Sequence, residues 1–251
     1  MFQRMPLTII GSFVSPYVRK VLACLELKNL DYEVDPITPF FGNDDFARLS
    51  PLRRIPVLID GDFHASDSSV ICAYLDEAYG GYPLLPAAPR DRARARWLEE
   101  FADTRLGDLF IWGLFYQKFV RRMVWQEEPD QERVDLVLNE QAPAALDYLE
   151  GELPDSGFLF GRLGLADIAL ASFFVNARYV GFAIDAARWP RVARFVAAVL
   201  AEPPLEKLLG FEAIQMNATI KGRRQALQDA GARLTETSWG LPQPRRGVMS
   251  L

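Results

Sequence analysis

The apolar positions change their period partway along the chain. Over residues 7–80 short apolar runs alternate with amphipathic stretches. "LTIIG" predicts a first strand. Val18, Val21, Leu22 and Leu25 then recur at helical spacing within Pro16–Lys28, with Ser15 as N-cap and Pro16 as first helical residue, where a missing N–H costs nothing. "LDYEVDPI" predicts a second strand with Tyr32 and Val34 on one side. After a loop-rich stretch, "PVLIDGDFHA" sets a glycine between two short runs, a hairpin pattern. "SDSSVICAYLDEAYGG" then puts Val70, Ile71, Tyr74, Leu75 and Ala78 along one helical face, closed by a glycine pair. The order is β-α-β followed by β-β-α. A helix between the first two strands favours a parallel crossover, and the hairpin pairs antiparallel.

Past residue 82 the pattern is wholly helical. "GGYPLLPAAPR" lacks periodicity, and residues 83–89 read as a linker. A long helix is predicted from Arg90 to about Met123, either continuous or interrupted near Gly107 or Gly113. Others follow over about Asp130–Leu153 and Leu165–Tyr179. A further stripe of Trp189, Val192, Phe195, Val196 and Val199 ends at Pro203 and Pro204. Further helical pieces are expected up to about Leu234, then an irregular tail. The predicted layout is an α/β domain over residues 1–82, a linker over 83–89, an all-α domain over 90–234 and a tail over 235–251.

Composition narrows the function classes. With 251 residues the chain has ample core for one large or two smaller domains. A formal charge of −5 argues against a nucleic-acid binder, which carries a basic surplus. The longest apolar run, "LADIALASFFV", is interrupted by Asp167, so a buried helix rather than a membrane span is expected. Pro6 and Gly11 break the first apolar stretch, and no signal peptide is expected. Cys24 and Cys72 have no metal-ligand spacing, and His64 is the one histidine. Neither a metal site nor a histidine triad is expected, and a reducing cytoplasm fits.

Three segments carry candidate chemistry. "SPYVRKV" leaves two roles open for Ser15, a plain cap or a cap whose hydroxyl also faces a ligand. "RRIPVL", residues Arg53–Leu58, holds a proline at the start of a buried strand. "DSSVI", residues Asp67–Ile71, sets an acid and a hydroxyl at a helix start. In this order, ahead of a helical domain, they resemble the glutathione transferase superfamily over roughly residues 6–210. The first is similar to the catalytic-serine segment of serine-type members.

The resemblance implies an α/β N-terminal thioredoxin-like domain plus an all-α C-terminal domain. It implies glutathione as co-substrate, no metal, a small hydrophobic electrophile as second substrate, and a homodimer in the cytoplasm without nucleic-acid or membrane partners. Ser15 would stabilise the glutathione thiolate, with Ser12 the next hydroxyl to consider. The bond before Pro56 would be cis, and the Ile55 backbone would pair with the cysteinyl part of glutathione. Asp67 and Ser68 would receive its γ-glutamyl end, and Arg54 would lie near its glycine end. Trp112, Tyr116 and Phe119, in an aromatic stretch with Phe115 and Met123, would line the electrophile pocket.

The chemistry is consistent with those roles. A free thiol has a pKa of about 8.5, and lowering it by about two units needs roughly 2.7 kcal/mol of preferential thiolate stabilisation. One hydroxyl donor and a helix N-terminus supply interactions of that size.

Two departures and two alternatives accompany this reading. The family usually has Glu or Gln at Asp67, one methylene longer. It usually has Ser or Thr at Gly164, three residues before Asp167, which reads as structural. Disulfide reduction is disfavoured because Ser15 and Val18 stand where a thioredoxin-type pair has cysteines. The competing class is a non-catalytic binding or assembly module of the same fold. Arg19 and Lys20 read as exposed charges on the first helix. The role of residues 211–251, with Lys221, Arg223, Arg224, Arg245 and Arg246, is open between covering the pocket, wrapping a partner subunit and disorder.

Overall fold

A computed structural model describes residues 6–219 and 221–246. They fall into two compact units: residues up to Pro83 together with Pro203 onward, and Leu84–Glu202.

In the first unit four short strands form one sheet in the order β2-β1-β3-β4: β1 (Leu7–Ile10), β2 (Tyr32–Asp35), β3 (Val57–Asp60) and β4 (Phe63–Ser66). β1 pairs parallel with β2 and antiparallel with β3, where Ile10 stands opposite Val57. β3 pairs antiparallel with β4, Val57 opposite Ser66. The hairpin turns through Gly61 at φ +63°, a conformation open to glycine without a Cβ penalty. The mixed sheet is the one the strand-helix pattern predicts.

Helix α1 (Pro16–Leu27) crosses between β1 and β2, and Arg19 and Lys20 are among its buried residues. The expectation that these two lie exposed is therefore wrong. The helix is flanked by α3 (Ser68–Ala78) on one side and α9 (Pro203–Asn217) on another. Each charge has a partner: Arg19 Nε donates to Glu212 Oε2 at 3.1 Å, and Lys20 Nζ donates to Ser69 Oγ at 3.1 Å. A buried charge persists only when paired in this way. The stretch between β2 and β3 holds a 3₁₀ turn (Pro39–Phe41) and α2 (Asp44–Leu49), capped by Asn43, whose Oδ1 accepts from Phe46 N at 2.9 Å. So short a helix has little periodicity to read.

The residues after Pro203 were expected to extend the helical domain and end in an irregular tail; they pack instead with the first unit. Beyond α9 and α10 (Arg223–Asp229), the chain runs along the outer side of β2. Val34 bridges Leu234, and Gly42 bridges Gly240. Asp35 anchors it: its carboxylate accepts from Ser238 Oγ at 2.9 and 3.0 Å, from Trp239 N at 2.7 Å and from Arg224 at 3.2 Å. Part of the expected tail, residues 247–251, lies outside the described residues.

The second unit is helical: α4 (Pro89–Phe101), a wider π-type helix (Ala102–Trp125) that continues it, α5 (Gln131–Leu136), a π-type turn (Val137–Gln141), α6 (Ala142–Glu152), α7 (Leu165–Tyr179) and α8 (Pro190–Leu200). The helix runs on without a break at Gly107 or Gly113. Gly113 serves packing, since a Cβ there would lie 2.6 Å from Val137 Cγ2. Among the described residues no helix is long and apolar enough to cross a membrane.

Candidate functional site

The first two candidate segments meet at Gly11. A Cβ on Gly11 would lie 2.5 Å from Val18 Cγ2 and 3.2 Å from Ile55 Cβ, so the end of β1, the first turn of α1 and the segment before Pro56 are in close approach. The Ile55–Pro56 peptide is cis. Ser50 shapes the loop leading to it: its Oγ donates to Arg54 O at 2.8 Å and accepts from Arg54 N at 3.0 Å. The third segment joins through the hairpin. Ser66 stands opposite Val57, so Asp67 follows directly beside the strand that Pro56 precedes.

Ser15 occupies the N-cap of α1. Its Oγ accepts from Val18 N at a long 3.4 Å, and among the described residues that accepted bond is the hydroxyl's only one. A cap of this kind uses a lone pair and leaves the hydroxyl proton available for donation. The side chain is partly exposed at a helix N-terminus, where negative charge is favoured. Ser12 differs. It is 1% exposed, and its Oγ accepts from Val14 N at 3.2 Å inside the preceding turn.

Asp67 caps α3 from a left-handed backbone, φ +84°, with Oδ1 accepting from Ser69 N at 2.9 Å and Val70 N at 3.2 Å. The residue is exposed, while Ser68 beside it is buried. Lys20, on Ser69 Oγ, ties the start of α3 to α1. Arg54 is exposed next to Ile55. The six candidates of the first unit, Ser15, Arg54, Ile55, Pro56, Asp67 and Ser68, thus come from three segments gathered along one end of the sheet.

Trp112, Tyr116 and Phe119 belong to the second unit, all on the π-type helix and all half-buried. The Trp112 and Tyr116 rings lie 5.5 Å apart, and Phe119 stacks on Phe115 at 4.9 Å. Met123, at the end of the same stretch, is 69% exposed. Among the described residues no group of three or more His, Cys, Asp or Glu could hold a metal ion.

Sequence reasoning missed two residues that hold the segment around Ser15, Gln215 on Phe13 N and Glu212 on Arg19, both on α9 and both buried. The available signal was a polar residue in register with Leu205, Leu208 and Phe211 on an otherwise apolar helical face.

Two family models match: the glutathione S-transferase N-terminal domain over residues 9–83 and the C-terminal domain over 92–198. Glutathione S-transferase 3 of Zea mays is 31% identical over 210 residues, which cover 80% of this chain and 92% of that protein. A glutathione S-transferase from Rhodospirillum rubrum superposes with a TM-score of 0.74 at 25% identity, covering 90% of this chain and 99% of that one. A maleylacetoacetate isomerase from Methylobacterium extorquens AM1, solved with malonate and GSH bound, superposes with a TM-score of 0.67 at 28% identity, covering 82% of this chain and 97% of that one.

Proposed function

The chain belongs to the glutathione S-transferase family, and from that premise we propose that it is a serine-type glutathione transferase acting on small hydrophobic electrophiles. In this reading the Ser15 hydroxyl donates to the sulfur of glutathione, and the N-terminal end of α1 adds positive potential. Together they favour the thiolate that attacks the electrophile. The observation that carries the reading is the state of Ser15: partly exposed, its hydroxyl engaged only as an acceptor among the described residues, and set in a turn adjoining the Ile55–Pro56 segment. Ser12 is unsuited by its burial.

The remaining roles follow the family. The Ile55 backbone pairs with the cysteinyl unit beside Pro56. The exposed Asp67, with Oδ1 spent on capping, turns Oδ2 to the γ-glutamyl ammonium. Buried Ser68 then contributes mainly by fixing the first turn of α3, and Arg54 attracts the glycine carboxylate. Trp112, Tyr116 and Phe119 supply an apolar aromatic surface for the electrophile. Leu52, Phe63 and Val70, large apolar side chains exposed on the first unit, support pairing of two copies.

The test compares wild type with Ser15→Ala for retention on immobilised glutathione and for conjugation of a generic aryl halide. Both proteins are expected to be retained, with activity in the variant lower by about one to three orders of magnitude. Unchanged activity in Ser15→Ala removes the serine from the mechanism. Retention by wild type without activity toward a broad electrophile panel supports a binding module instead.

A further inference from the structure

The segment carrying Ser15 is a tight turn. Ser15 N donates to Ser12 O at 3.0 Å, which closes a β-turn with Phe13 and Val14 at its centre. Val14 N is taken by Ser12 Oγ inside the turn. The turn offers nothing to Phe13 N–H, and that donor is buried.

Its acceptor comes from 202 residues away: Phe13 N donates to Gln215 Oε1 at 2.9 Å. The other end of the same amide donates from Nε2 to Pro36 O at 2.8 Å, just past β2. Gln215 is 3% exposed. One planar group thus spans the Ser12–Ser15 turn and the end of β2, bonded at both its oxygen and its nitrogen. The same face of α9 holds the turn once more and the first turn of α1 beside it. The Phe211 ring lies 5.3 Å from that of Phe13, and Glu212 pairs with Arg19 one turn into α1.

We propose that Gln215 is a positioning residue for Ser15. By fixing the Phe13 peptide it sets the direction of the turn and hence of the hydroxyl two residues on. An apolar side chain of similar length fills the same space but leaves Phe13 N–H and Pro36 C=O, both buried, without partners. The turn then relaxes to satisfy them, and the Ser15–sulfur bond is the first casualty. The inference rests on the proposed role of Ser15.

The test titrates the thiol of glutathione bound to the full chain, read by thiolate absorbance, alongside kcat and KM for glutathione in the aryl-halide assay. The proteins are wild type, Gln215→Met, Gln215→Asn, Ser15→Ala and Leu227→Ala, the last destabilising α10 without touching the turn. In Gln215→Met the thiol pKa is expected to rise by about one unit toward the free value, with kcat about tenfold lower and KM within about threefold. Leu227→Ala, at matched loss of thermal stability, keeps the wild-type pKa and kcat.

Should Gln215→Met not fold, Gln215→Asn decides the matter. Its amide is one methylene too short to reach both partners, so its thiol pKa is expected to rise as well. A wild-type pKa and kcat in the folded Gln215 variants, with Ser15→Ala impaired, overturns this inference and leaves the function standing. A wild-type protein that does not lower the thiol pKa at all overturns both.

Discussion

At Asp167 the backbone N–H groups of Leu159 and Gly164 donate to opposite oxygens of a fully buried carboxylate, both at 2.9 Å. Burial pushes this carboxyl up to about 6, although both hydrogen bonds pull the other way. Asp167→Ala orphans two backbone donors and is expected to cost about 2–3 kcal/mol in urea unfolding. The cost also has a pH trend. The folded state binds this proton more tightly than the unfolded state, so the site's contribution is largest below about pH 4 and declines as pH rises through about 6. The stability difference between wild type and Asp167→Ala should shrink over that interval; a difference that grows with pH reverses the assignment. Gly164 also has a reason here. A Cβ at that position would lie 3.1 Å from Leu84 O, which already accepts from Leu165 N at 2.9 Å. Serine or threonine, usual at this place in the family, would crowd that carbonyl.

At the scale of elements, the π-type helix Ala102–Trp125 and the turn Val137–Gln141 come into close contact at Gly113. Alanine normally favours a helix over glycine by up to about 1 kcal/mol. Here its methyl would meet Val137 Cγ2 at 2.6 Å, with Asp108 O at 3.2 Å on another side. Valine is stiff about χ1 and cannot swing away. Gly113→Ala is therefore expected to destabilise by about 1–3 kcal/mol, and Val137→Ala in the same chain to recover much of that loss. Chemical denaturation of the single and double variants measures it; a stabilising Gly113→Ala would mean the helices separate freely. The glycine that looked like a helix breaker is a packing position. Sequence pattern alone does not distinguish the two, because the neighbour that needs the space arrives 24 residues later.

Over the whole molecule, the chain beyond α10 runs back along β2 through backbone bridges, and one buried carboxylate gathers its donors there. Asp35 is 0% exposed, and burial raises its pKa against the pull of Trp239, Ser238 and Arg224. Asp35→Ala removes the acceptor of all three. Trypsin is expected to cut at Lys221, Arg223 and Arg224 roughly ten times faster in this variant, because local opening there becomes less costly. Limited proteolysis with mass identification of the fragments reads the effect. Unaltered cleavage would show that the bridges Val34–Leu234 and Gly42–Gly240 hold the segment without Asp35.

What the sequence determined by itself is local or periodic. The strand-helix order, the hairpin at Gly61, the cap at Ser15 and the helices of the second unit all follow from patterns a few residues wide, which backbone geometry imposes at short range. Three motif segments were legible because their order along the chain mirrors the β-α-β-β order that gathers them. Tertiary structure alone decided the rest. Arg19 with Glu212, Phe13 with Gln215, and Asp35 with Ser238 and Trp239 are each about 200 residues apart. A charged or polar residue on a helix reads as solvent-facing until a second helix covers it. Only the return of the chain as α9 and the segment after it turned those positions into buried partners.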